Sequence, residues 1–238
     1  MSSDAESQIA QNLRIVIEKI GEATRKAGRT PSEIQLVAVS KTFGADAVLH
    51  AVDAGQLRFG ENRIQEAEGK IGRFRASTPR LEWHLIGHLQ SNKARRAAEL
   101  FDVVHSVDSA KLAERLNQAC RETGKNLSVL VQVDLGHEVT KFGADENEAR
   151  EIVDAASRLS NIRLNGLMTI PPFSDDPELT RPYFIRLREF RDVLEAERPG
   201  CLGQLHLSMG MTNDFEVAIE EGSTLVRIGT ALFGERLG

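Results

Sequence analysis

The sequence predicts an α/β fold, a (β/α)8 TIM barrel with an extra N-terminal helix. Three observations carry this. Eight short apolar runs of strand-like composition recur along the chain, and seven helix-compatible stretches separate them. The turn after the first run reads "SKTFGADA", not the Gly-rich fingerprint that an open doubly wound sheet would place there.

The elements follow in order. A first helix is expected over residues 4–27, with Ile9, Leu13, Val16, Ile17 and Ile20 on one face and Gly28 at its C′ position. "RTPSE" then turns the chain into the barrel. Strands are expected at "IQLVAVS", "LRFGE", "EWHLIGH", "FDVVHSV", "SVLVQVDL", "IRLNGLMTI", "QLHLSM" and "TLVRIG". The helices between them are "ADAVLHAVDAG", "RIQEAEGKIGRF", "SNKARRAAEL", "SAKLAERLNQACRETG", "DENEAREIVDAASRLS", "ELTRPYFIRLREFRDVLEAE" and "TNDFEVAIEEGS". The Pro-rich, acidic "TIPPFSDDPELTRPY" after the sixth strand reads as a lid or a rigid rim. No linker interrupts the pattern, so residues 1–238 are expected to form a single domain, with residues 1–30 a helix packed on the barrel.

Composition narrows the function. Of 238 residues, 41% are apolar and 5% aromatic, enough for a real core. A formal charge of −5, from 30 basic and 35 acidic side chains, argues against nucleic acid or an anionic membrane as partner. No apolar run is long enough to span a bilayer, and "MSSDAESQIAQN" has no signal-peptide core. Two cysteines, Cys120 and Cys201, make no disulfide framework, and a cytoplasmic setting is expected.

The chemistry starts at Lys41, at the carboxyl end of the first strand, where barrels gather their functional groups. An amine among apolar neighbours has its charged form disfavoured and becomes a nucleophile toward an aldehyde. The bland reading, a lysine whose stem is buried and whose head reaches water, stands beside it. The loops after strands seven and eight, "SMGMTNDF" and "RIGTALFGE", are small-residue turns of the kind that cradle phosphate at this end of a barrel. There Ser208 and Thr230 add hydroxyls, while Gly210 and Gly229 let the backbone come close. A lysine and a phosphate cradle across one barrel mouth suit pyridoxal 5'-phosphate (PLP), which carries both an aldehyde and a phosphate.

Other signals carry less. His84 and His88 in "HLIGH" have the gap of a helical zinc site, but on a strand they stand about 13 Å apart. No metal site is expected, and His84 is placed in the barrel interior or its mouth. Lys141 reads as a solvated loop lysine, or as a secondary contact for the cofactor during transfer. Asp134 and Glu138 flank strand five as an acid/base pair or as a loop cap and rim ion pair. Met209 and Met211 read as packing of the loop. The arginines of "SNKARRAAEL" and "RPYFIRLREFR" read as solvated helix faces.

Seven ordered stretches, "LVAVSKTFGADAV", "RFGENRIQEAEGK", "WHLIGHLQSNKAR", "VHSVDS", "VQVDLGHEVTKFG", "GLMTIPP" and "HLSMGMTNDFEVAIEEGSTLVRIGTALFGER", resemble the pyridoxal phosphate homeostasis proteins. That family is similar to the N-terminal barrel of alanine racemase, the fold-type III group. The resemblance implies that Lys41 forms an internal aldimine with PLP and that Arg227 faces the pyridine nitrogen. It further implies that Ser208, Gly229 and Thr230 bind phosphate, with Met209 and Gly210 in the same loop, and that Asn62 lines the pocket. On the residues alone, Arg227 reads equally as a structural arginine tied to a rim carboxylate.

A racemase of this fold draws a second acid/base, a tyrosine, from a C-terminal β-domain across a dimer. That domain is expected to be lacking here, and the lone Tyr183 falls in the helix after strand six. The expectation is therefore a monomeric holder of PLP serving vitamin B6 homeostasis, with apo-enzymes as recipients, effects on amino-acid and keto-acid pools, and no catalytic residues. The alternatives are a slow PLP-dependent amino-acid racemase or lyase and a cofactor-free Schiff-base aldolase.

Overall fold

The computed structural model describes residues 2–75, 78, 81–136 and 142–235. Eight strands close a barrel in chain order: β1 (Gln35–Val39), β2 (Arg58–Glu61), β3 (Glu82–Leu85), β4 (Val103–Val107), β5 (Leu127–Gln132), β6 (Ile162–Met168), β7 (His206–Ser208) and β8 (Leu225–Ile228). All pairings are parallel, and β1 joins both β2 and β8. The helices between them are α2 (Ala45–Asp53), α3 (Ile64–Arg75), α4 (Ala94–Leu100), α5 (Ala110–Thr123), α6 (Glu146–Ala156), α7 (Arg181–Glu197) and α8 (Phe215–Glu220). Helix α1 (Ser2–Lys26) precedes the barrel, and a four-residue α9 (Thr230–Phe233) follows β8. The fold matches the sequence expectation element for element except for α9, which is too short to leave a period.

Neighbouring residues of a strand serve two different cores. Val37, Val103, Leu130, Met168 and Leu225 form a cluster inside the barrel. Ala38, Val104, Val129, Leu167 and Val226, each one position away, belong to the larger layer between strands and helices. That double burial is why the strands read as continuous apolar runs rather than as alternating ones. The helices are pinned at their ends. The Ser109 hydroxyl accepts from the Leu112 amide to open α5, and Asp145 and Glu148 form a capping box on α6.

Helix α1 packs on α2, α8 and α9. Ile9, Leu13, Val16 and Ile20 are buried as expected, but Ile17 is 54% exposed. It follows Val16 directly, about 100° further around the helix, and so falls off the apolar stripe. The basic helix faces are laced with ion pairs: Arg96 to Glu68 and Glu99, Arg181 to Glu178, Glu220 and Glu221, and Arg188 to Glu221. Among the described residues, no helix is long and apolar enough to cross a membrane.

Leu130→Ala, which opens a cavity in the inner cluster, is expected to cost about 3 kcal/mol in urea denaturation. Ile17→Ala is expected to change stability by no more than about 0.5 kcal/mol.

Candidate functional site

A cavity of about 600 Å³ opens at the carboxyl ends of the strands. Val39 and Lys41 line it from the end of β1, Asn62 from β2, and Ile86 to His88 from β3. Gln132 and Phe142 contribute after β5, Ile170 to Ser174 after β6, Met211 to Asp214 after β7, and Arg227, Gly229 and Thr230 from β8. Lys41 gets there by the strand period. Val37 points into the barrel, Val39 two residues on lines the cavity floor, and Lys41 follows two residues later. Arg227 stands on the adjacent strand, paired in register with Val37.

Arg227 is buried, and its charge is met by neutral oxygens. Its Nη1 donates to Ser208 Oγ at 2.6 Å and its Nη2 to the Thr169 carbonyl at 2.9 Å. Burial lowers its pKa to about 10, partly offset by the Asp214 carboxylate, so it stays a cation at neutral pH. Ser208 Oγ also lies 2.8 Å from His105 Nδ1, and His105 Nε2 lies 2.8 Å from His84 Nδ1. Arginine can only donate, so Ser208 accepts from it, and the hydroxyl and the two imidazoles continue one hydrogen-bonded row. The row ends at His84 Nε2, buried without a hydrogen-bond partner and 3.9 Å from Glu82 Oε1. Inward positions of β3, β4, β7 and β8 thus form a polar layer beneath the cavity.

Of the residues singled out from the sequence, Lys41, Asn62, Arg227, Gly229 and Thr230 come together on the cavity wall. Ser208, Met209 and Gly210 stand apart from it. Ser208 is fully buried in the polar layer, and Met209 packs into the outer core. Gly210 has φ +93°, and a Cβ there would meet the Ala218 Cβ at 2.6 Å, so packing of the β7–α8 turn requires its glycine. The rim arginine expected as an alternative for Arg227 is tied to Ser208 and a carbonyl, not to a carboxylate.

His84 lies in the interior, while His88 stacks on Phe142 at 3.6 Å between centroids and faces Asp108 at 3.3 Å. No metal-holding cluster occurs among the described residues. Asp134 Oδ1 accepts from the Gly136 amide, as a loop cap does. Lys141 and Glu138 lie outside the described residues. Met211 lines the cavity. The stretch after β6 forms a rim tied by Asn213 Nδ2, which donates to the Ser174 carbonyl at 2.8 Å.

Sequence reasoning missed His105, Thr169, Gln132 and Asp214. The first has a readable signal: in "VVHSV" a histidine interrupts an apolar strand at an inward position. Asp214 precedes α8, where its Oδ1 accepts from the Met211 amide, and burial pushes its carboxyl up.

Burial, with His84, Arg227 and His206 adding to it, holds His105 well below the ordinary histidine value of 6.5. The folded chain therefore binds fewer protons than the unfolded one below that pH. The stability His105 contributes is present above about 6.5 and drains away as pH falls, at up to about 1.4 kcal/mol per pH unit. His105→Gln is expected to flatten the loss of thermal stability between pH 7 and pH 5. An unchanged slope would overturn the assignment of a neutral, buried imidazole.

The model of the alanine racemase N-terminal domain family matches residues 7–237. The pyridoxal phosphate homeostasis protein of Vibrio alginolyticus is 46% identical over 232 residues, covering 97% of this chain and 98% of that one. The protein of that name from Escherichia coli K12 is 42% identical over 231 residues, covering 97% of both. The structure of PipY from Synechococcus elongatus with PLP bound superposes with a TM-score of 0.82 at 40% identity, covering 95% of this chain and all of that one. Alanine racemase of Clostridium difficile shares the fold at a TM-score of 0.68 and 19% identity, and the match covers 58% of its chain. Joined with the barrel and its mouth, these likenesses place the chain in the pyridoxal phosphate homeostasis protein family, on the barrel of the alanine racemase N-terminal domain.

Proposed function

We propose that the chain binds PLP in the barrel mouth and serves to hold it for intracellular PLP homeostasis. The observation that carries this is the placing of Lys41 and Arg227, from adjacent strands, on one cavity wall beside the Gly229–Thr230 turn. When bound, PLP supplies an aldehyde that condenses with an amine and an anionic phosphate. Lys41 offers the amine. Thr230 and the close backbone at Gly229, where a Cβ would lie 3.2 Å from the Val39 carbonyl, suit the phosphate. Arg227, held by Ser208 and Thr169, presents its remaining N–H bonds as donors to a ring nitrogen, and Asn62 borders the ring. Ser208, Met209 and Gly210 support this wall from behind. PipY, 40% identical, was solved with PLP, which favours the same ligand here.

The reading extends to activity. Tyr183 on α7 packs against the outer core, away from the cavity, and is no candidate for a second proton carrier. Arg227, a permanent donor, leaves a ring nitrogen unprotonated and a weak electron sink. We read the chain as a cytoplasmic, monomeric carrier that passes PLP to apo-enzymes, with catalysis weak or nil. A slow racemase or lyase is the alternative.

Mixing the protein with PLP, adding borohydride and mapping peptides should place the cofactor on Lys41. Lys41→Ala should stay unlabelled at every other residue of the cavity. A label elsewhere in the wild type would overturn the site. Incubation with L-amino acids should yield no D-enantiomer at a rate near ordinary enzyme turnover, about 1 s⁻¹ or more; such turnover would replace the carrier with the racemase.

A further inference from the structure

Lys41 stands in a tight turn that the chain alone would not favour. The Phe43 amide donates to the Ser40 carbonyl at 3.1 Å, closing a β-turn around Lys41 and Thr42. Thr42 has φ +70°, a left-handed conformation that costs a β-branched residue energy. Such strain persists only where the surroundings over-determine it.

Three side chains do so here. Lys70 Nζ donates to the same Ser40 carbonyl at 2.6 Å and to Glu61 Oε1 at 2.7 Å. Glu61 Oε1 also accepts from the Ser40 hydroxyl at 2.6 Å. Glu66 Oε2 accepts from the Thr42 amide at 3.3 Å. Glu66 and Lys70 are four residues apart on α3 and so lie on one face of the helix, toward the turn. Neither Glu61 nor Lys70 is among the residues lining the cavity, and both are buried behind it. Burying a lysine and a glutamate is costly unless the pair is held in good geometry, and a plain barrel wall would place apolar residues there. All three groups converge on one three-residue segment, and its central residue is the amine of the site.

We infer that Glu61, Lys70 and Glu66 are positioning residues that clamp the Ser40–Thr42 turn in its strained form and thereby aim the Lys41 amine into the cavity. This rests on the reading of Lys41 as the PLP-bearing residue. The clamp fixes the direction of the amine and leaves the cofactor's ring and phosphate to the β8 side of the mouth. Removing the clamp should therefore weaken the covalent bond to Lys41 while sparing non-covalent recognition.

The test uses two ligands, PLP and pyridoxamine 5'-phosphate, which keeps the ring and phosphate but has no aldehyde. Glu61→Gln combined with Lys70→Met removes the buried pair without stranding either charge. Its borohydride-fixed label on Lys41 at sub-saturating PLP is expected to fall at least about tenfold, with pyridoxamine 5'-phosphate binding held within about twofold. Glu66→Gln, which disturbs no buried charge and keeps the variant folded, is expected to lower the label about threefold with the same separation. Thr42→Gly, which removes the steric cost of the turn, is expected to restore part of the label in the Glu66→Gln background. Labelling equal to wild type in both clamp variants would overturn the inference, and so would a parallel loss of both ligands. An unlabelled Lys41 in the wild type would remove the underlying reading and this inference with it, an outcome distinct from the other two.

Discussion

A buried charge on an inward position of a closed barrel is costly unless it finds hydrogen-bond partners on the strands around it. Arg227 is that charge. Arg227 shares the inward face of β8 with Leu225, two residues earlier, which fills the same interior with hydrocarbon. The cost of burying it is recovered by charge-assisted hydrogen bonds to Ser208 and to the Thr169 carbonyl. Ser208 is hydrogen-bonded in turn to His105, and His105 to His84. Four strands are thus tied by one hydrogen-bonded row beneath the cavity.

The sequence conveyed the barrel better than it conveyed this floor. Strands such as "VVHSV" are legible because both faces are buried, and helix ends are legible because Ser109, Gly124 and Asp145 are ordinary capping residues in ordinary places. Lys41, Asn62, Arg227, Gly229 and Thr230 reach the cavity lining because each stands at or just past the carboxyl end of a strand. Ser208 shows the limit. It too stands at a strand end, yet it pairs in register with Leu225 and bonds Arg227 beneath the cavity lining, and nothing in "HLSMGM" says how deep a short strand sits. Ile17 failed for a simpler reason: at about 100° from Val16 it stands at the margin of the apolar stripe, and the helix buries only the centre of that stripe.

Several of the residues that sequence reasoning passed over have partners far along the chain. Lys70 looks like an ordinary helix lysine, four residues after Glu66 on an otherwise polar segment. Only the packing of α3 on the β1–β2 edge brings it against the Ser40 carbonyl. His105 and Ser208 are separated by 103 residues and meet only because β4 and β7 face each other across the barrel. The tight fit of Gly210 against Ala218 and Phe215 on α8 is hidden from the sequence for the same reason.

Each wall of the mouth contributes a different group. The β8 wall supplies an arginine pinned at two of its nitrogens, able to donate and unable, with its pKa near 10, to hand a proton over at neutral pH. The β1 wall supplies an amine on a strained turn. Between them stand Phe142, Ile170, Pro171 and Pro172, apolar groups that shape the space, with His88 and Asp214 also on the lining. Reaction at a carbon needs a strong electron sink and proton carriers on two faces. A wall with one amine and one fixed cation suits capture of an aldehyde and hydrogen bonding to the rest of the molecule.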